Sequence, residues 1–185
     1  MTDEIWFSVD VETSGPTPST GCLISIGACR VDDPTQGFSV EIQPMADRPW
    51  SPAAEEIHGL TREHLEATGI EPGEAMQAFE TWVKATADGG HPVFVAFNAP
   101  FDWMFVADYF WRYLGRNPFG HTALDIKAMY LGRHLDEVPR WDQTGRIRIL
   151  ETYPVDLPHT HAALDDAREQ AAICRRLLET VRDEV

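Results

Sequence analysis

The sequence predicts an α/β fold, a mixed sheet flanked by helices. Three observations carry this expectation. Residues 5–11, 23–31 and 38–42 are short apolar runs with strand spacing, separated by turn signals such as Asp32-Asp33-Pro34 and Gly37. From residue 52 onward helical patterns take over, and they alternate with two short apolar runs at 93–97 and 123–126. Strands first, then helices alternating with strands, imply a mixed sheet with helices on its faces.

The elements follow in order. Residues 5–11 alternate and end in acids, and residues 23–31 and 38–42 give two further strands. Ser51-Pro52 opens a short helix over 52–58, Thr61 opens another helical segment over 61–67, and a longer helix spans 72–87 and stops at Gly89-Gly90. The strand at 93–97 is fully apolar. Pro100 suits the first position of a helix over 100–114 that Gly115 ends, and its apolar character nearly all round predicts burial. A last strand is expected at 123–126, a helix near 127–134, mostly loop over 139–158, and a final helix over 162–182. No repeat, low-complexity tract or interdomain linker interrupts the chain, so its 185 residues, 1–185, are expected to form one domain.

Composition narrows the class. Charged residues at 24% and hydrophobic residues at 43% match a soluble globular protein and give no compositional sign of disorder. The N-terminus lacks the basic leader of a secretory signal, and no apolar run approaches the ~20 residues that span a bilayer. The cytoplasm is therefore the expected compartment. Cys22, Cys29 and Cys174 are odd in number, widely spaced and without a Cys-x-x-Cys pair, which predicts buried thiols rather than disulfides or zinc.

Three groups carry chemistry. In Asp10-Val11-Glu12 the period-two geometry of a strand puts both carboxylates on one face. In Asn98-Ala99-Pro100-Phe101-Asp102 the acid falls in the first turn of a helix, on the stripe continued by Phe105, Val106 and Tyr109. In the third group, His161-Ala162-Ala163-Leu164-Asp165-Asp166, helical phase aligns Asp166 with Gln170, Ile173 and Leu177. Asp165 shares its face with Arg168, Glu169 and Arg176, so only Asp166 is expected to face inward. His159 is locally as good a histidine candidate as His161. Taken singly, each group also reads as a solvated strand end, a helix-dipole partner or an ordinary helix start. Taken together, they place acids where distant segments of an α/β fold meet, and like charges ~4 Å apart cost about 4 kcal/mol per pair at a dielectric of ~20. Four converging carboxylates imply a cation, and oxygen ligands without cysteine favour magnesium or manganese.

Asp10-x-Glu12, Asn98-x-x-Phe101-Asp102 and His161-x-x-x-x-Asp166 resemble, in order and rough separation, the three motifs of the DEDDh 3′–5′ exonucleases. That family includes the proofreading subunit of bacterial DNA polymerase III, ribonuclease T and oligoribonuclease. Ile57-His58-Gly59-Leu60-Thr61 and Leu124-Asp125 look like secondary features of the same family. The resemblance implies a ribonuclease-H-like fold and release of 5′-mononucleotides from the 3′ end of DNA or RNA. It also implies that two divalent cations, Mg2+ or Mn2+, are held by Asp10, Glu12, Asp102 and Asp166, with His161 as the base for the attacking water. By the same resemblance Thr13, His58, Asn98 and Phe101 contact the substrate. The tyrosine branch of the superfamily has Tyr where this chain has Ala162, which favours the histidine branch.

Two rivals remain at this level: a ribonuclease-H-type endonuclease, and an inactive nucleic-acid- or protein-binding module of the same fold. The expected partner is nucleic acid, as a single-stranded 3′ end or a short oligonucleotide, and no membrane; the oligomeric state stays open, a homodimer included. A net charge of −15 opposes an extended grip on long nucleic acid and predicts a short substrate or a local contact. Arg133, Arg140, Arg146 and Arg148, against Asp136, Glu137 and Asp142, mark the place where phosphate contacts are most expected, while the same stretch reads equally as a solvated loop.

Overall fold

A computed structural model describes residues 3–137 and 140–182. Five strands, β1 (Glu4–Thr13), β2 (Leu23–Arg30), β3 (Gly37–Glu41), β4 (His91–Ala96) and β5 (Ala123–Asp125), form one sheet in the order β3-β2-β1-β4-β5. β1, β2 and β3 pair antiparallel, whereas β1 with β4 and β4 with β5 pair parallel, so the sheet is mixed as the sequence predicts. The parallel strands are reached through helices, the only economical way to bring the chain back in the same direction.

The helices are α1 (Pro52–His58), α2 (Arg62–Thr68), α3 (Pro72–Ala87), α4 (Pro100–Leu114), α5 (Ile126–Arg133), α6 (Arg146–Thr152) and α7 (Ala163–Arg182). Ser51 Oγ accepts from the Ala54 amide to cap α1, and Gly59 ends it at a φ of 73°. Thr61 caps α2 in the same way, its hydroxyl accepting from the His64 amide.

Phe7, Val9 and Val11 of β1 face a core built with α3 and α4, where Phe79, Phe94, Phe105, Phe110 and Phe119 are fully or almost fully buried. Cys29 and Val95, on the opposite face, pack with α5, α6 and α7. Asp10 and Glu12 alternate with the valines and so point to the α7 side. All three cysteines are buried and unpaired, as expected.

Two expectations need correction. Residues 139–158 are not mostly loop: a single 3-10 turn at Trp141–Gln143 and helix α6 lie within them, while Pro139 falls outside the described residues. α6 has seven residues, buries only Ile149 and lacks a side-chain cap, so neither periodicity nor a start signal announces it. Helix α4 is buried on one side only, because Trp111 is 47% exposed and Arg112 pairs with Asp108 on the outer face.

Candidate active site

Four carboxylates come from three distant segments. Asp10 and Glu12 lie near the end of β1, opposite Gly27 and Ser25 of β2, with a register shift between Glu12 and Thr13. Asp102 lies in the first turn of α4 and is 4% exposed; its Oδ1 accepts from the Val11 amide at 3.1 Å, which fastens the helix to β1 between the two acids. Asp166 lies in the first turn of α7 and is 1% exposed. Carboxylate oxygens of Asp10, Glu12 and Asp166 lie within 4.8 Å of one another.

α7 reaches the sheet because of Gly27. A Cβ there would lie 2.0 Å from the Ala163 carbonyl carbon, so only glycine lets the start of α7 settle on β2 beside Asp10. Asp166 is then fixed by the preceding turn: the amides of Thr160 and His161 donate to its two oxygens at 2.8 and 3.0 Å.

The electrostatics are those of crowded acids. Burial raises the Asp10 carboxyl well above its ordinary value, and Asp102, Glu12 and Asp166 add to the effect, opposed by the Gln170 hydrogen bond. Burial pushes Glu12 up to about 8, with Asp166 and then Asp102 contributing. Burial also pushes Asp102 up to about 8, against the opposing hydrogen bonds from backbone amides. Among the described residues no cationic side chain offsets these three. Buried carboxylates gathered without a positive partner fit a hard divalent cation, which takes oxygen ligands and neutralises them.

The predicted substrate residues flank this cluster. Thr13, His58 and Phe101 line one groove of about 400 Å3 with Glu12, Pro16 and Ile57. Phe101 and Ile57 give it apolar walls, and Glu12 gives it a polar end facing the cluster. His58 accepts at Nδ1 from the Leu60 amide at 3.0 Å, so its neutral ring carries the proton on Nε2, and burial lowers its pKa. Asn98 lies apart from the groove lining, exposed at a φ of 66°; its amide donates to Asp125 Oδ1 and Lys127 Nζ lies 3.5 Å from its Oδ1.

Both histidines stand over Asp166. His161 has a φ of 56° and shares a hollow of about 320 Å3 with Glu12, His58 and Asp165. His159 places Nδ1 3.2 Å from Asp166 Oδ2 and 3.2 Å from Glu169 Oε2. Asp165 is exposed and pairs with Arg168, so the expected inward and outward assignment of the two aspartates holds.

Glu169 does not share the exposure expected of it. It is 1% exposed and held by the Arg146 guanidinium, because α6 covers a face of α7 that the sequence reading left open. Arg146 is thereby engaged, as are Arg133 with Tyr153, Arg140 with Asp142 and Arg148 with Glu151. Sequence reasoning also missed Gln170. Its Oε1 accepts from the Phe97 amide at 2.9 Å and its Nε2 donates to Asp10 Oδ1 at 2.5 Å, so one side chain ties α7, β1 and the end of β4 together. The only sequence signal was its helical phase with Asp166.

Known proteins now set this geometry in context. The profile of the exonuclease family RNase_T matches residues 7–174. The chain is 43% identical over 174 residues to the 3′-5′ DNA exonuclease Cap18 of Escherichia coli, an alignment covering 93% of this chain and 90% of that protein. The nuclease domain of 3′hExo, a DEDDh family member bound to rAMP, superposes with a TM-score of 0.77 at 18% identity, covering 97% of this chain and 93% of that one. The zinc-bound E. coli ExoI–ssDNA complex gives 0.73 at 16%, covering 98% of this chain and 41% of that one. These two likenesses establish the ribonuclease-H-like fold. Nothing in the comparisons supports a homodimer. Among the described residues no helix is long and apolar enough to cross a membrane. The profile and the E. coli relative together span nearly the whole chain, and it belongs to the RNase_T exonuclease family as a 3′–5′ exonuclease.

Proposed function

We propose that the chain removes 5′-mononucleotides from the 3′ end of single-stranded DNA, with Asp10, Glu12, Asp102 and Asp166 holding two Mg2+ or Mn2+ ions and His161 as the general base. The observation that carries this reading is the convergence of Asp10, Glu12 and Asp166 oxygens within 4.8 Å, beside a groove that suits a nucleotide. DNA is favoured because the 43% identical relative is a DNA exonuclease. When bound, such ions activate water and stabilise the charge that develops on the phosphate and on the leaving oxygen.

The residues of the chain divide the remaining work. Phe101 and Ile57 offer apolar surface to the terminal base and sugar, and Thr13 and His58 close the same groove. Asn98 stands where β4 leads into α4, close to the Lys127 ammonium, and is positioned to contact the strand leaving the groove. His161, held near Asp166 through its own amide, takes the proton from the attacking water. The fold requires no basic patch, since the grip is local and the whole chain from residue 1 to 185 acts as one domain. The unpaired buried cysteines support a reducing, cytoplasmic setting.

Neighbouring residues supply the test. Matched DNA and RNA oligonucleotides are digested with magnesium and with manganese by folded variants. Asp166→Asn should nearly abolish turnover and Asp165→Asn leave it near normal. His161→Ala should lose at least ~10²-fold in kcat while still binding oligonucleotide, since a base acts in the chemical step; His159→Ala should lose far less. Equal effects of Asp165 and Asp166, or RNA cleaved faster than DNA, would overturn the corresponding assignment.

A further inference from the structure

The turn between α6 and α7 carries a second donor set, with a chemistry unlike that of the four carboxylates. His159, His161 and Asp166 each offer one ligand atom, and these three atoms lie within 4.8 Å of one another. The two imidazole rings stand 4.6 Å apart at an interplanar angle of 72°, so they meet edge to face rather than stacking flat. The arrangement is held by the backbone. Thr160 and His161 donate their amides to the two oxygens of Asp166, and His161 adopts a φ of 56°, which bends the chain around that carboxylate. Both histidines are exposed while Asp166 is buried, so an ion can arrive from solvent and meet a fixed ligand at the bottom.

Two imidazoles and one carboxylate with a fourth position open are a ligand set that zinc uses. Imidazole nitrogen suits zinc, copper and nickel, whereas magnesium, manganese and calcium prefer an all-oxygen set. Tetrahedral ligands ~2.1 Å from zinc lie ~3.4 Å apart, so side-chain movements of roughly 1 Å would close the observed cluster on the ion. Glu169 Oε2 lies 3.2 Å from His159 Nδ1, the same nitrogen that stands 3.2 Å from Asp166 Oδ2, so a further carboxylate oxygen borders the cluster.

We propose that His159, His161 and Asp166 form a zinc site whose occupation switches the exonuclease off. Zinc bound there takes Asp166 from the magnesium cluster and the ring nitrogen of His161 from the attacking water. Its inhibitory consequence rests on the roles proposed above for those two residues, whereas binding itself does not. His159 is the one ligand without a part in hydrolysis, so the two properties separate at that position.

Zinc affinity of the full chain is measured by competition with a chromophoric zinc chelator in excess magnesium, and the rate on a DNA oligonucleotide is titrated with zinc at the same magnesium concentration. Wild type should bind one zinc and lose activity over the same zinc range. His159→Ala should bind zinc at least about tenfold more weakly, a loss that even an outer partner of a metal ligand can cause, and its inhibition should shift by the same factor. Its rate in magnesium alone should stay close to normal. His159→Gln, similar in size and polarity, should behave alike and guards against a folding defect in the alanine variant. Unchanged binding and inhibition in both variants overturns the proposal, because zinc then sits on the carboxylates alone. Absence of zinc binding in excess magnesium overturns it equally, as does His159-dependent binding without inhibition. Failure of the catalytic assignment is read elsewhere, as full magnesium-dependent rates in His161→Ala and Asp166→Asn.

Discussion

Gln170 shows how much a single uncharged side chain decides at this site. Its amide offers one acceptor and one donor, and both are used: the acceptor serves the Phe97 amide and the donor serves Asp10. The donor bond lowers the Asp10 carboxyl, against burial and three other acids that raise it. Gln170→Leu removes both bonds and leaves the Phe97 amide unpaired in a part-buried position, a loss of ~1–3 kcal/mol in stability. It also frees Asp10 to rotate, so we expect a fall of ~10–100-fold in activity or metal affinity. Gln170→Glu keeps the acceptor for Phe97 but sets a further acid against Asp10, so it should lose activity with a smaller loss of stability. Normal metal dependence in both variants, measured by magnesium titration of the rate, would remove Gln170 from the site. Asp10, Glu12, Asp102 and Asp166 were legible in the sequence because strand and helix periods fix which way a side chain points. Gln170, Glu169 and Arg146 were not, because their roles depend on which element packs above them. His161 is preferred to His159 on the resemblance alone, and the geometry places both rings at Asp166.

At the scale of elements, the site depends on the close approach of α7 to β2. Gly27 pairs with Asp10 across the sheet, and a Cβ at Gly27 would meet the Ala163 carbonyl carbon at 2.0 Å and the Leu164 nitrogen at 2.1 Å. Those are backbone atoms, which cannot swing aside as a flexible side chain does. Gly27→Ala must therefore lift the first turn of α7 off the sheet, carrying Asp166 away from Asp10 and Glu12. Overpacking of this kind costs typically ~1–3 kcal/mol, and the displaced carboxylate should cost activity far beyond the loss in stability. A thermal melt and a magnesium titration of the rate on the same preparation separate the two effects. Near-normal activity with normal metal affinity would mean that the helix adjusts without moving Asp166. The strands and long helices were legible at this scale, since each carries a period, a cap or a glycine stop. Helix α6 was not, because seven residues with one buried side chain present no period to read. That omission hid the cover over Glu169 and the use of Arg146 to hold it.

Across the whole molecule, an excess of 15 acids is tolerated by a nuclease because its charge is organised rather than spread evenly. Some acids are held by cations: Arg116 and Lys84 bind the buried Glu80 and lower its carboxyl to about 2. Others are kept apart from cations, and for these the sign of the pH dependence reverses. Glu12 and Asp102 have folded pKa values near 8 against ordinary values of 4.5 and 3.8, and Asp10 is raised well above 3.8. In the native state these groups bind protons that the unfolded chain has already released, so stability falls as pH rises through that window. Glu80 works the other way, contributing above its unfolded value and losing that contribution as pH falls toward about 2. The metal-free protein should therefore be most stable on the mildly acidic side, and its Tm should decline between about pH 5 and about pH 8. A divalent cation competes with those protons and binds only the folded arrangement, so it should raise the Tm, and by more at pH 8 than at pH 5. Asp102→Asn retains an acceptor for the Val11 amide and removes one titrating group, so it should flatten the metal-free decline while abolishing activity. Thermal melts in chelator and in saturating magnesium, taken every half unit of pH, measure both slopes. A metal-free Tm that stays level or rises from pH 5 to 8, or a magnesium increment independent of pH, would show that the carboxylates are not crowded in the way their geometry requires.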